Sequence, residues 1–346
     1  MKIALVAPVE EAVPPAAYGG VEQVVHLLDE DLTRRGHDVV LLASGGSRAA
    51  GRLVELVSAP LGAPHQDRDS ASYGAAKTTA ARAAAAAIAD ERPDAVLCHT
   101  WRYLDHAAPG IPTLTTIHYP VDTPLYRDIF ASYPAARYIS VSRSQQRLAP
   151  RLRFVGNVYN GVDVDALPFS GSAGQYLVFL GRFSPDKGVD IAIRAAQRVG
   201  IPLRIGAKLD KGNRDWFAAV VEPLVRRGGV ELVGEVSAAD KGEFLSGALA
   251  LVHPSRWNEP FGLAAVEAMA CGTPVVALRR GAAEEVVADG VTGFVVDDEK
   301  DIDAALLDVA GLDRATCREY ARERFSQERM GAGYESLLRA EAPDAG

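Results

Sequence analysis

Apolar residues fall along this chain in short blocks closed by Gly, Pro, Ser or His, and between blocks they recur at helical spacing. Ile3–Ala7 stops at Pro8, and Val39–Ala43 stops at Ser44-Gly45-Gly46. Uninterrupted runs this short, bounded by breakers, predict strands buried on both faces of a parallel sheet. Between them Val21, Val24, Val25, Leu28 and Leu32 share one helical face, and Gly36 after Arg34-Arg35 stops the helix. The unit then repeats: the Ala-rich helix Ala80–Ala89 feeds the strand Ala95–Cys98, followed by Thr113–Ile117 and Tyr138–Val141.

Turn formers crowd Asn160-Gly161-Val162-Asp163, Pro168 and Ser170-Gly171-Ser172-Ala173-Gly174 before a fresh strand, Tyr176–Leu180. Leu203–Gly206, Val230–Val233, Ala248–His253, Pro274–Ala277 and Gly293–Val296 resume the rhythm. The predicted class is α/β, with two Rossmann-like, doubly wound parallel-sheet domains at 1–163 and 164–325. The charge-laced stretch Asp313–Ala340 reads as helical without a strand partner, and 326–346 is expected to pack back on the N-terminal domain.

Composition narrows the function. At 346 residues the chain exceeds one ordinary core, and 48% hydrophobic with 24% charged residues suits a globular protein. Lys plus Arg total 37 against 45 Asp plus Glu, so the net charge of −8 supplies no general field for nucleic acid or anionic membrane. Cys98, Cys271 and Cys317 lack metal-type spacing and read as buried reduced thiols. Met1-Lys2-Ile3-Ala4-Leu5-Val6-Ala7 reads as a first strand, not a signal peptide. No apolar run reaches the ~18 residues of a membrane span, so a cytoplasmic location is expected, with peripheral membrane contact left open.

The richest chemistry lies in His253-Pro254-Ser255-Arg256-Trp257-Asn258-Glu259-Pro260-Phe261-Gly262-Leu263, continuing through Glu267 to Ala270-Cys271-Gly272-Thr273-Pro274. A strand ends near His253, a loop carries Glu259, and a helix opens around Phe261-Gly262. Its open amides suit a phosphate or sugar hydroxyl, and two carboxylates can accept from separate polyol groups. Gly181-Arg182-Phe183-Ser184-Pro185-Asp186-Lys187-Gly188 is a second strand–turn–helix junction, where Arg182 can fork onto phosphate oxygens and Lys187 can add a point charge. Tyr18-Gly19-Gly20-Val21 repeats that logic after the first strand. His99 and His118 each follow a strand at the carboxyl edge, where open α/β sheets place ligands. Neither a GxGxxG nor a GxxxxGK[ST] loop is present.

Two Glu separated by seven residues, with Pro-Phe-Gly-Leu between and Ala-Cys-Gly-Thr-Pro-Val-Val after, resemble glycosyltransferase family 4, a retaining family with the GT-B fold. The resemblance runs from Gly19-Gly20 to Val291-Thr292-Gly293. It implies that Glu259 faces the donor sugar, Glu267 grips the ribose hydroxyls, Arg182 and Lys187 clamp the diphosphate, and His118 touches the sugar. Phe261, Gly262 and Leu263 join the donor site, and Gly19 and Gly20 face the donor phosphates across a cleft. Gly206-Ala207-Lys208 and Glu235-Val236-Ser237 sit where the base is expected. His99, Trp101, Tyr119 and Arg143 are expected at the acceptor, within loops around Pro60–Tyr73, Trp101–Asp105 and Tyr119–Tyr133. Ser140-Val141-Ser142-Arg143 matches the family order, whereas Ala282 stands where the family shows the second of paired glycines. Arg143, Arg147, Arg151 and Arg153 read as a solvated basic face.

The expected function is therefore retaining transfer of a hexose from a nucleotide diphosphate sugar, UDP-linked in the first instance with guanine equally compatible with the base site, to a hydroxyl of a small-molecule, saccharide or lipid-linked acceptor. No cofactor and no metal are expected. A nucleotide-sugar epimerase on the same fold and a non-catalytic sugar-nucleotide-binding module are the alternatives.

Overall fold

The uninterrupted apolar runs become the inner strands of two parallel sheets. In the computed structural model, which describes residues 1–17, 19–62 and 71–342, the chain divides into two compact units. One comprises Met1–Gly161 with Gln327–Gly346, the other Val162–Ser326.

The first unit holds β1 (Lys2–Val6), β2 (Asp38–Ser44), β3 (Arg52–Val57), β4 (Ala95–Cys98), β5 (Thr113–Ile117), β6 (Arg137–Ser140) and β7 (Phe154–Asn157). They form one sheet in the order β3-β2-β1-β4-β5-β6-β7, with every pairing parallel. β1 and β4 are covered on both faces, so their sequences carry no alternation. β3 and β7 lie at the two edges, are only partly buried, and mix apolar with charged or polar residues. For that reason neither stood out in the sequence pattern.

The second unit holds β8 (Leu177–Arg182), β9 (Leu203–Lys208), β10 (Val230–Gly234), β11 (Ala250–His253), β12 (Val275–Leu278) and β13 (Gly293–Val296). Their order is β10-β9-β8-β11-β12-β13, again parallel. The carboxyl ends of β8 and β11 are neighbours, which brings the Arg182 and His253 junctions together.

The C-terminal helical stretch is two helices, Arg314–Phe325 and Gln327–Glu341. Ser326 between them is extended (ψ 158°) and bridges Val162, whose N–H donates to the Phe325 carbonyl at 2.9 Å. Asp313 caps the first helix through the amides of Ala315 and Thr316. Arg314 is buried without a carboxylate; its guanidinium donates instead to the Ser170, Ala248 and Ser246 carbonyls and to Thr273 Oγ1. Gln327–Glu341 lies on the helix Gly20–Arg34 in the first unit: Gln327 Nε2 donates to the Leu27 carbonyl at 2.9 Å, and Arg35 pairs with Glu335 at 3.1 Å. A Cβ on Gly331 would sit 1.7 Å from Asp31 Oδ2, so only glycine permits this approach.

Candidate functional site

In the second unit, Arg182 is the last residue of β8, within the strand rather than beyond it. A turn at Pro185–Lys187 and Gly188 (φ 70°) lead into the helix Val189–Val199. A Cβ on Gly188 would lie 2.1 Å from the Pro254 carbonyl, so the glycine lets this turn touch the loop after β11. Arg256 ties the two loops further. Its guanidinium forks onto Asp190 at 2.7 and 2.9 Å and reaches the Pro185 carbonyl at 3.0 Å, while its amide donates to the Asp186 carbonyl.

Held this way, Lys187 Nζ meets Glu259 Oε2 at 2.5 Å, both side chains being largely buried. The same carboxylate oxygen accepts from Trp257 Nε1 at 2.8 Å and Ser255 Oγ at 3.3 Å, and Lys187 also lies 4.9 Å above the Trp257 ring. Burial works to raise the Glu259 pKa, but the charges of Lys187 and His253 and the hydrogen bonds from Lys187 and Trp257 win, and the net shift is downward. His253 is itself lowered to about 4 by burial.

Gly262 (φ 95°) opens the helix Leu263–Ala270, in which Glu267 is 9% exposed and pairs with Lys241 at 2.7 Å. Phe261 is buried edge-on against Phe325 at 5.6 Å, so its ring belongs to the packing and leaves its backbone for any ligand contact. Leu263, the first residue of that helix, is half-buried. Gly281 (φ 57°) rests on the Glu259 backbone, where a Cβ would come within 2.2 Å, and Ala282 N donates to the Glu259 carbonyl at 3.0 Å. Ala282 has φ −86°, a conformation any residue adopts, so the missing second glycine leaves this support intact.

Gly206 requires a correction. It lies inside β9, not beyond it, buried against Val236, whose Cγ2 would be 2.5 Å from an added Cβ. It packs against the neighbouring loop from within the strand, whereas Glu235-Val236-Ser237 does follow its strand. Arg182 Nη1 stands 3.7 Å from Asp210.

In the first unit, Gly20 begins the helix Gly20–Arg34, and Gly19 packs so tightly that a Cβ would meet Pro15 Cβ at 2.6 Å. Tyr18 and residues 63–70 of the expected acceptor loop lie outside the described residues. Glu22, in the first turn of that helix, is buried, and its pKa is raised to about 7 by burial, with Glu10 and Glu11 adding repulsion. His118 is half-buried at the end of β5, and its Nε2 lies 2.9 Å from His99 Nδ1 at the end of β4. His99, expected at the acceptor, has no exposed surface in this structure and touches His118 instead. Burial lowers His118 to about 3 and His99 well below the ordinary histidine value.

Trp101 carries the Arg102 guanidinium 4.5 Å over its ring, and Tyr119 stacks on Tyr126 at 4.6 Å. Arg143, Arg147, Arg151 and Arg153 are all exposed. Ser140 and Ser142 are buried; Ser142 caps the helix Arg143–Leu148 by accepting from Gln145 N. The Gln145 side chain donates to the carbonyls of Ile117 and Tyr119, bracketing His118.

Gln145, Trp257, Ser255, Lys241 and Glu22 are therefore site-supporting residues to which the sequence reading assigned no role. Only Gln145 had a local signal, the Ser-x-x-Gln spacing of a helix start. Among the described residues no group of three His, Cys, Asp or Glu side chains could hold a metal ion, and no helix is long and apolar enough to cross a membrane.

Two family models match the chain in succession: Glycosyltransferase Family 4 over residues 18–166 and Glycosyl transferases group 1 over 170–324. The chain belongs to glycosyltransferase family 4. It is 32% identical over 193 residues to the glycosyltransferase MJ1178 of Methanocaldococcus jannaschii, a match covering 52% of this chain and 53% of that protein. The chain thus spans about half the length of that relative. It is 28% identical to a glycogen synthase of Mycobacterium tuberculosis over 350 residues, 86% of this chain and 82% of that one. The crystal structure of Anabaena Alr3699/HepE in complex with UDP-glucose superposes with a TM-score of 0.75 at 19% identity, covering 98% of this chain and all of that one. At that identity the match establishes the fold, which for this family member is GT-B.

Proposed function

We propose that this family 4 member transfers a hexose from a nucleotide diphosphate sugar, UDP-linked, to an acceptor hydroxyl with retention of anomeric configuration. The observation that carries the proposal is the buried Lys187–Glu259 pair beside the Gly262 helix start, with Arg182 at the end of the neighbouring strand. The complex of HepE with UDP-glucose supports a UDP-linked donor.

In this reading Glu267 accepts from the ribose hydroxyls, and Glu259 accepts from the transferred sugar. Lys187 turns from Glu259 to the diphosphate, joining Arg182 and the amides at Gly262. These groups stabilise charge that grows as the glycosidic bond breaks, an effect that acts on the transition state more than on the bound donor. Retention by double displacement needs a carboxylate nucleophile about 5 Å from its partner acid. Glu259 keeps Trp257 and Ser255 as donors and, in this reading, accepts from hydroxyls of the transferred sugar rather than facing its anomeric carbon, so it is unsuited to that role. The acceptor oxygen therefore attacks the face the diphosphate leaves, and the departing phosphate oxygen takes its proton. Two cations and a helix N-terminus replace a metal in this scheme.

The test is proton NMR of the product formed from an α-linked donor, after screening UDP- and other nucleotide sugars for hydrolysis and thermal shift. An α-linked product is expected. A β-linked product overturns the mechanism, and activity lost in chelator and restored by Mg or Mn overturns the metal-free scheme.

A further inference from the structure

The contact between His99 and His118 specifies more than proximity. Their ring centroids are 5.1 Å apart with planes tilted by only 22°, and the Nδ1 to Nε2 distance is 2.9 Å. Rings in that relation meet edge to edge, with the hydrogen bond close to both planes. Neutral imidazole has one N–H, so just two neutral arrangements make the bond. If His118 Nε2–H donates, His99 must carry its own proton on Nε2. That atom is buried and meets no hydrogen-bond partner among the described residues. If His99 Nδ1–H donates, the orphaned His99 Nε2 is only a lone pair. Buried N–H groups left without an acceptor are the rarer of the two defects in folded proteins.

We infer that His99 is a positioning residue that donates through Nδ1–H to His118 Nε2 and so fixes His118 as its Nδ1-protonated neutral tautomer. His118 then carries its one N–H as a donor on Nδ1 and cannot serve as a base through that nitrogen. Neighbouring groups hold the pair in place. Tyr334 lies 5.8 Å from the His99 ring and fixes its hydroxyl on Thr116 Oγ1 at 2.9 Å. The His99 amide donates to the Val6 carbonyl, and Gln145 holds the carbonyls on either side of His118. Applied to the proposed transfer, a fixed N–H donor suits a sugar hydroxyl or ring oxygen. This part rests on the functional reading above; the tautomer itself does not.

The two parts are tested separately. Long-range proton–nitrogen correlation spectra of the full 15N-labelled chain at neutral pH, without substrate, report which nitrogen of each ring is protonated. His118 protonated on Nδ1 and bare on Nε2 is expected; His118 protonated on Nε2, or on both nitrogens, overturns the inference whether or not the chain turns over sugar. His99→Gln keeps a donor within reach of His118, whereas His99→Leu removes it. With melting temperatures recorded beside the rates, His99→Leu should lower kcat about tenfold or more with little change in donor KM. His99→Gln should recover most of that loss and retain the His118 tautomer signal. Equal kcat losses in the two variants would mean that His99 acts only by filling space.

Discussion

The two units prepare for chemistry in opposite ways. In the second, the candidate groups are charged and already matched: Lys187 with Glu259, Lys241 with Glu267, Arg256 with Asp190. In the first, the groups at the carboxyl edge of the sheet are buried or half-buried and shifted toward their neutral forms, His99 and His118 below their ordinary range and Glu22 above it. Paired charges can exchange partners when an anion arrives, because each cation then trades one carboxylate for another acceptor. A neutral pair cannot compensate an anion, but it fixes the direction of a hydrogen bond without changing charge. On the proposed function, the first kind of site would take the diphosphate and the second the hydroxyls.

The strongest way to break this contrast is to remove a cation. Lys187→Ala or Arg182→Ala should lower turnover by about 10²–10³, the usual cost of losing one preorganised group that stabilises transition-state charge. Either variant retaining wild-type rates, by steady-state kinetics, would dissolve the charged-site assignment. Glu22 probes the opposite side. Its folded-state pKa of about 7 exceeds the ordinary 4.5, so the stability it supports is complete in acid and is lost as pH rises from about 4.5 through 7. Glu22→Gln should therefore be more stable than wild type at pH 8, by about 2–3 kcal/mol, and close to it at pH 4. Denaturant melts at the two pH values decide the matter, and a pH-independent difference would show that the Glu22 pKa is not raised by folding.

Glu267→Ala should weaken nucleotide binding by about 1.5–3 kcal/mol, the worth of a charged hydrogen-bond acceptor. Unchanged affinity in calorimetry would remove Glu267 from the ribose site. The smallest effect concerns pH. His118 at about 3 stays neutral throughout the working range, so kcat between pH 6 and 8 should show no limb that disappears in His118→Gln. Such a limb would mean that His118 titrates during turnover.

What the sequence made legible follows the same division. The Glu259 to Thr273 stretch and the Arg182 to Gly188 turn are contiguous, and residues near in sequence kept their places in the structure. The inner strands were readable because double-sided burial leaves continuous apolar runs. The edge strands β3 and β7 were not, since half-exposed strands tolerate charge and lose that signature. Gly206 was placed at a strand end although β9 runs on to Lys208, because a glycine inside a strand and one that closes it look alike in sequence. The His99–His118 bond depends on adjacency of β4 and β5, and Lys241–Glu267 on helix packing across 26 residues. Such pairings arise from topology, which local spacing does not encode. The separation of 326–346 from the second domain was legible, but Asp313–Ala340 read as one helical stretch, because charge-laced helical patterns continue on both sides of Ser326.

The division of labour within the charged site can be measured directly by calorimetric titration of UDP and of uridine into the full chain, into Lys187→Ala and into Glu267→Ala. UDP should bind the wild type more tightly than uridine; Lys187→Ala should weaken UDP and leave uridine unchanged, and Glu267→Ala should weaken both. Lys187→Ala binding UDP as well as the wild type does, or losing uridine and UDP equally, would contradict the assignment of Lys187 to the diphosphate and of this unit to the nucleotide donor.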